Sequence, residues 1–289
     1  MIIFEPLSDL RLTLGESPVW DDRRGCVFLC DIDAGRLLAM NLDGRLAGEW
    51  SLGAAVCSLG LGDSGSLVVA LAREIIAFDP DTGNRQTLAQ LVDEPDGNRF
   101  NDGKIGPDGA FWVGTMAPQR QPTAALYRID ATGRLVRRKA GLRISNGLAW
   151  SPEGSRLYHS DSAGCWIEAH AFDPETGEIG PANRLAEPGE AQGRPDGAAT
   201  DAEGFYWSAG VSAGCLNRFA PDGRLVATYT TPLAAPTMPC FCGPGLETLL
   251  LTSHRRLPAN RLTANPFNGA VLVGRAPVAG APVSRMKGL

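Results

Sequence analysis

Short apolar runs, each too brief for a helix and bounded by Gly, Asp, Asn or Pro, recur along the whole chain, which is the pattern of strands separated by tight turns. A Gly-containing turn joins two such runs at WDDRRGCVFLCD, GDSGSLVVAL, GPDGAFWVGT, SPEGSRLYHS, DAEGFYWSAG and GPGLETLLLT. The turn glycines are Gly25, Gly65, Gly109, Gly154, Gly204 and Gly245, separated by 40, 44, 45, 50 and 41 residues. A further run follows in most copies, as in LLAMNLDG, IIAFDPDTG, ALYRIDATG and LNRFAPDG, where Asp-Gly or Thr-Gly closes another hairpin. Each copy therefore offers about four strands at the period of propeller blades.

One four-stranded sheet cannot cover both of its apolar faces, whereas sheets stacked round an axis cover each other's. The pattern predicts an all-β fold, a six-bladed β-propeller formed as a single domain over residues 1–289. The last copy lacks a strand after AVLVGRAPV, and the N-terminal IIFEPL has no place in the first. The two ends are expected to share the sixth blade and so close the ring. RLPANRLTANPFNG, residues 256–269, is the longest irregular stretch and is expected to be a surface loop on one face.

The same register carries candidate chemistry. Eight residues before the turn glycine stand Cys57, Asn101, Asn146, Asp196 and Thr237; nine before it in the first copy, whose turn is one residue longer, stands Glu16. In a propeller the first strand of each blade lines the central channel, so one phase of that strand forms a ring about the axis. Four of the six side chains are Glu, Asn, Asn and Asp, and two carboxylates crowded with two amides need a compensating charge. A divalent cation supplies it, and the oxygen donors suit Ca²⁺ first, with Mg²⁺ or Mn²⁺ also accommodated. The alternative is that these residues only cap strand ends by bonding local backbone. In RFNDGK, Arg99 shares the face of Asn101, while Asp102 is expected to face away and to belong to the turn. Asp31 and Asp161 serve equally well as structural turn partners and are left out of the candidate site.

Composition narrows the class. The chain has 289 residues, 44% of them hydrophobic, enough for a substantial core, and its 35 Gly and 21 Pro suit many turns. Net charge is −5 with no basic run interleaved with aromatics, which argues against nucleic-acid binding. The N-terminus has no signal-peptide pattern and no stretch is long enough to span a bilayer, so a cytoplasmic protein without a membrane partner is expected. Seven cysteines without CxxC spacing read as reduced thiols, and Cys240 and Cys242 as packing residues. Three isolated histidines and the lack of HExxH argue against zinc peptidases.

LGESPVWD, RFNDGKxxPDGxFWVGTM, ISNGLAWSPEG, RPDGAATDAEGFYW and PCFCGPGLETLLLTS, in this order, resemble the SMP-30/gluconolactonase/regucalcin-like family over nearly the whole chain. The resemblance implies a sugar lactonase, a carboxylic ester hydrolase that converts an aldonolactone to the aldonic acid with one divalent metal, Ca²⁺, Zn²⁺, Mn²⁺, Mg²⁺ or Fe²⁺ among members. It implies Glu16, Asn146 and Asp196 as metal ligands, and Arg99 and Asn101 as substrate contacts. Where some members carry an acidic pair after GTM this chain has APQRQP, which puts Gln119 near the expected substrate-binding place. The expected mechanism polarises the ring carbonyl on the cation, with Asp196 as general base or with water on the cation as nucleophile. Two other readings use the same ring: a non-catalytic calcium-binding regulatory protein of the regucalcin type, or a metal-dependent esterase or organophosphatase.

Overall fold

The computed structural model describes residues 2–263 and 265–289. Six four-stranded antiparallel sheets follow one another along the chain as the blades of a β-propeller. Their inner strands are Gly15–Asp21, Val56–Leu61, Arg99–Ile105, Ser145–Trp150, Pro195–Thr200 and Pro236–Cys242. In the first five blades the remaining strands follow outward in chain order. The sixth is closed from both ends: Leu272–Arg275 pairs on one side with Thr248–Ser253 and on the other with Glu5–Pro6, Glu5 opposite Val273. The expected sharing of the last blade is thus present.

Burial explains why hydrophobic patterning changes within a blade. Inner strands are covered on both faces, and all six residues of Val56–Leu61 and of Ser145–Trp150 are buried. Outermost strands such as Leu46–Ser51 and Leu225–Thr230 present one face to solvent and read as mixed polar sequence. Aromatic side chains fill the wedges between neighbouring blades. Trp50 lies between Phe28 and Phe78, Trp112 meets Trp150 and Phe172 edge-on, and Trp207 packs against Phe241. Cys240 and Cys242 are free and buried in the core with Leu250 and Val271, as packing predicts.

The N-terminal ends of the inner strands open at one face, called here the upper face. Residues 256–263 and 265–269 lie on that face, tied down by Arg256 on Asp33, by Arg261 on the carbonyl of Ala234, and by Asn268, whose Oδ1 accepts the Ala234 amide. The segment is not wholly irregular: Ala259–Thr263 forms one short helix, and Ala264 lies outside the described residues. At the lower face the channel widens into a cavity of about 740 Å³, lined among others by Val19, Leu59, Ile105, Met238 and Phe241 and crossed by Ala281–Arg285. Among the described residues no helix is long and apolar enough to cross a membrane.

Candidate functional site

All six residues of the predicted phase lie near the upper ends of the inner strands, and a recurrent irregularity aims them. In every blade the pairing of inner strand with second strand slips by one residue at or just after this position: between Glu16 and Val19, Val56 and Ser58, Phe100 and Gly103, Asn146 and Ala149, Pro195 and Ala198, and Pro236 and Pro239. A bulge bends its strand and re-aims the side chains around it. In the fourth blade the bend needs glycine: Gly147 has φ +64°, and a Cβ there would meet the Tyr206 hydroxyl at 2.3 Å and Ser160 Oγ at 2.4 Å.

A chain of hydrogen bonds connects four of the predicted residues across three blades. Arg99 Nη1 donates to Asn101 Oδ1 at 3.1 Å, Asn101 Nδ2 to Asn146 Oδ1 at 2.9 Å, and Asn146 Nδ2 to Asp196 Oδ1 at 2.7 Å. Asn146 is oriented by Ser162: its Nδ2 donates to Ser162 Oγ at 2.7 Å, and that hydroxyl spends its own hydrogen on the carbonyl of Pro195. With Nδ2 held by Ser162 and Asp196, Oδ1 is the end that meets Asn101. Glu16 bonds the amide of Ser17 at 3.4 Å. Asp31 and Asp161 set the strand entrances, Asp31 accepting the amides of Thr13 and Leu14 and Asp161 those of Arg143 and Ile144. Each fixes the backbone just ahead of Glu16 or Asn146.

The hub is electrostatically unbalanced. Burial in protein, then the charges of Asp196 and Asp102, hold the Glu16 carboxyl well above the usual carboxylate range. Asp196 is pushed up for the same first reason, with Asp102 adding to it and Arg194 partly relieving it. Glu16 and Asp196 keep some solvent contact at the mouth, and neither forms an ion pair among the described residues.

Asp102 departs from expectation. It is not in a turn but inside the strand Arg99–Ile105, where the bulge breaks strict alternation and keeps the carboxyl in the channel wall. It is 6% exposed; Oδ2 accepts the Leu148 amide at 3.0 Å and Oδ1 has no partner. Lys104, which sequence reasoning passed over, projects near it and donates Nζ to the carbonyl of Ala198 at 2.6 Å. Cys57 lies against Arg99 Nη1 at 3.5 Å, and Thr237 bonds the carbonyl of Gly15. Gln119 is exposed in the loop after Phe111–Met116 on the upper face and makes no side-chain hydrogen bond among the described residues.

Fold and hub together define a class, the six-bladed propellers whose channel mouth presents carboxylate and amide oxygens. The model of the SMP-30/Gluconolactonase/LRE-like region matches residues 14–255, and the chain belongs to this family. It is 36% identical to the 6-deoxy-6-sulfogluconolactonase of Pseudomonas putida over 92% of each chain, and 31% identical to the regucalcin of Xenopus laevis over 83% of each. Among solved structures, the calcium-binding protein regucalcin of Agrobacterium tumefaciens aligns with a TM-score of 0.93 at 28% identity, over 99% of this chain and 97% of that one. The family resemblance drawn from the motifs is borne out.

Proposed function

We propose that this protein is a lactonase that opens a sugar lactone to its hydroxy acid, with one divalent cation held by Glu16, Asn146 and Asp196. The observation that carries the reading is the convergence, from three blades, of two carboxylates held above their usual range and one carboxamide, Asn146, whose Nδ2 is bonded to Ser162 and Asp196 and whose Oδ1 meets Asn101. These residues fit a cation: the donors are all oxygen, and two carboxylates balance a divalent charge, which favours Ca²⁺ over ions that seek nitrogen or sulfur. Relatives named as lactonases support hydrolysis as the use of the site.

Held by Glu16, Asn146 and Asp196, such an ion would supply Lewis acidity toward the lactone carbonyl. Asp196, at the edge of the donor set and turned to the mouth, takes the proton of the attacking water and returns it to the ring oxygen as the acyl C–O bond breaks. Water and lactone thus give the hydroxy acid with no other reactant. Asn101 spends both amide hydrogens, on Asn146 Oδ1 and on the carbonyl of Ser145, so toward the substrate it offers Oδ1 as an acceptor for a sugar hydroxyl. Arg99 supplies the complementary donors, and Gln119 stands where a longer substrate would meet the rim. The test is acid release from a panel of hexono- and pentonolactones, above spontaneous ring opening, before and after chelation. A chelator-sensitive rate restored by added cation is expected; the absence of any such rate would overturn the reading.

A further inference from the structure

The inner strand of each blade lies at one edge of its sheet, so its free edge turns backbone N–H and C=O groups to the channel, and buried groups of this kind need partners. The position two residues past the hub residue shows how they find them. In the six blades it is Pro18, Leu59, Gly103, Leu148, Ala198 and Pro239. Leu59 donates its amide to Ser17 Oγ at 3.0 Å, and Leu148 donates its own to Asp102 Oδ2 at 3.0 Å. Each acceptor stands one residue past the hub residue of the preceding blade, Glu16 or Asn101. Ser58 takes the same place beside Gly103, its Oγ 2.7 Å from where a Gly103 Cβ would lie. Pro18 and Pro239 have no N–H to satisfy, and the residues that correspond to Ser17 in the blades before them, Met238 and Gly197, carry no hydroxyl or carboxyl.

The fifth blade departs from this pattern. The corresponding residue in the blade before it is Gly147, which has no side chain and cannot gain one, since its φ is +64° and a Cβ would strike Tyr206 and Ser160. Lys104 fills the gap from one blade further back. Its Nζ donates to the carbonyl of Ala198 at 2.6 Å and so passes over the fourth blade, whereas Ser17, Asn101, Asp102 and Asn146 each bond the blade next to their own. Ala198 is where the fifth blade's inner strand regains its pairing, opposite Ser208, after the bulge that contains Asp196. Lys104 forms no ion pair among the described residues. A buried ammonium without a counter-ion in contact is costly, so an apolar residue would suit the place better if packing were its whole role.

We propose that Lys104 is a positioning residue for Asp196: by clamping the Ala198 carbonyl it fixes the bulge of the fifth blade and sets the Asp196 carboxylate against Asn146 before a cation arrives. The proposal rests on the cation site of the lactonase reading. The third blade then organises the donors of the next two, Asp102 holding the strand of Asn146 at Leu148 and Lys104 the strand of Asp196 at Ala198. The two properties of Lys104 act on a cation in opposite directions. Its charge repels the ion, while its hydrogen bond keeps a donor in place that would otherwise have to be ordered on binding. Removing the charge alone tightens binding; removing the clamp weakens it.

The experiment measures Ca²⁺ affinity of the full chain by titration calorimetry in the wild type, Lys104→Met and Lys104→Arg, and then kcat and KM for gluconolactone at saturating Ca²⁺. Methionine keeps the apolar stem and removes donor and charge together. Lys104→Met should weaken Ca²⁺ binding about tenfold, the scale of outer-shell partners, against the sign that loss of a positive charge gives by itself. With Ca²⁺ saturating, its kcat should fall about tenfold to hundredfold at unchanged KM, because the base is misplaced while Arg99 and Asn101 are untouched. Lys104→Arg retains donor and charge and should recover part of both losses. If Lys104→Met does not fold, Lys104→Gln reads the same sign. Ca²⁺ affinity at or above wild type in the uncharged variant, or a loss that Lys104→Arg does not lessen, overturns the proposal and leaves the lactonase reading standing. Weakened Ca²⁺ binding in a protein whose wild type opens no lactone keeps the clamp and overturns the lactonase reading; a wild type that binds no Ca²⁺ overturns both.

Discussion

Carboxylates stand at both ends of the channel, and the difference lies in what surrounds them. At the lower face Asp21 is held by Arg24 at 3.1 Å and Arg285 at 2.7 Å, Asp108 by Arg128 at 2.6 Å and the Trp112 indole at 3.2 Å, and Asp201 by Arg218 at 2.7 Å and the Trp207 indole at 2.8 Å. Burial pushes the Asp21 carboxyl up, but the hydrogen bonds of Arg285 and Arg24 outweigh it and leave it below the usual range. At the upper face Glu16, Asp102 and Asp196 are pushed up instead, because burial there meets no arginine that closes on them. The lower acids carry their partners in the sequence and serve the turns. The upper acids have no closing partner of that kind, and Lys104, Arg99 and Arg194 only partly offset them, which leaves room for a cation from solution.

The comparison breaks if an acid at each end is exchanged for its amide and both variants fail in the same way. Asp196→Asn keeps shape and removes the base, so kcat for lactone opening should fall by about a thousandfold, within the range of general-base loss, while the melting temperature holds or rises. Asp201→Asn should do the reverse. Breaking its buried pair with Arg218 should cost about 3 kcal/mol of stability, read by urea unfolding, while turnover per folded molecule stays near wild type. A folded Asp196→Asn protein with wild-type kcat would remove the base from the mechanism.

Ligand linkage sharpens the contrast. Added Ca²⁺ at about a hundred times its dissociation constant should stabilise the protein by about 2.7 kcal/mol, and Glu16→Gln should remove most of that gain. The sign with pH follows from the direction of the shifts. Glu16 and Asp196 hold protons to higher pH than ordinary carboxylates, so the ion must displace them, and its affinity should climb between about pH 6 and about pH 8. Titration calorimetry in buffers of different ionisation heat should register proton release on binding; none would mean that the ion binds elsewhere.

What sequence could convey about this site depended on whether a signal repeated. The blades and the shared last sheet are legible because turn glycines recur at one period, and Glu16, Asn101, Asn146 and Asp196 are legible because they share its phase. Asp102 is not, since strict alternation sends it outward and only the bulge between Phe100 and Gly103 brings it back. Gly103, Gly147 and Gly197 were the available sign of those bulges, but a glycine after Asn or Asp reads equally well as a turn. Ser162 comes from a loop that shares no phase with them. The helix Ala259–Thr263 spans too few residues to show a period.

Ser162 yields the smallest effect and the finest test of the contrast, because it touches neither cation nor substrate in the proposed mechanism. Its hydroxyl accepts from Asn146 Nδ2 and donates to the carbonyl of Pro195, so it helps hold Nδ2 on the side of Asp196 and leaves Oδ1 for the proposed cation. Ser162→Ala frees the carboxamide to turn over and take Oδ1 out of the donor set, and affinity for Ca²⁺ should fall about tenfold, the lower end of what outer-shell partners contribute. The fold should be little disturbed, because only one small polar contact in a loop is lost. Ser162→Thr retains the hydroxyl and should recover affinity. If Ser162→Ala weakens stability and leaves Ca²⁺ affinity unchanged, the hydroxyl serves the loop in the way Asp201 serves its turn, and Asn146 owes its orientation to Asn101 and Asp196 alone.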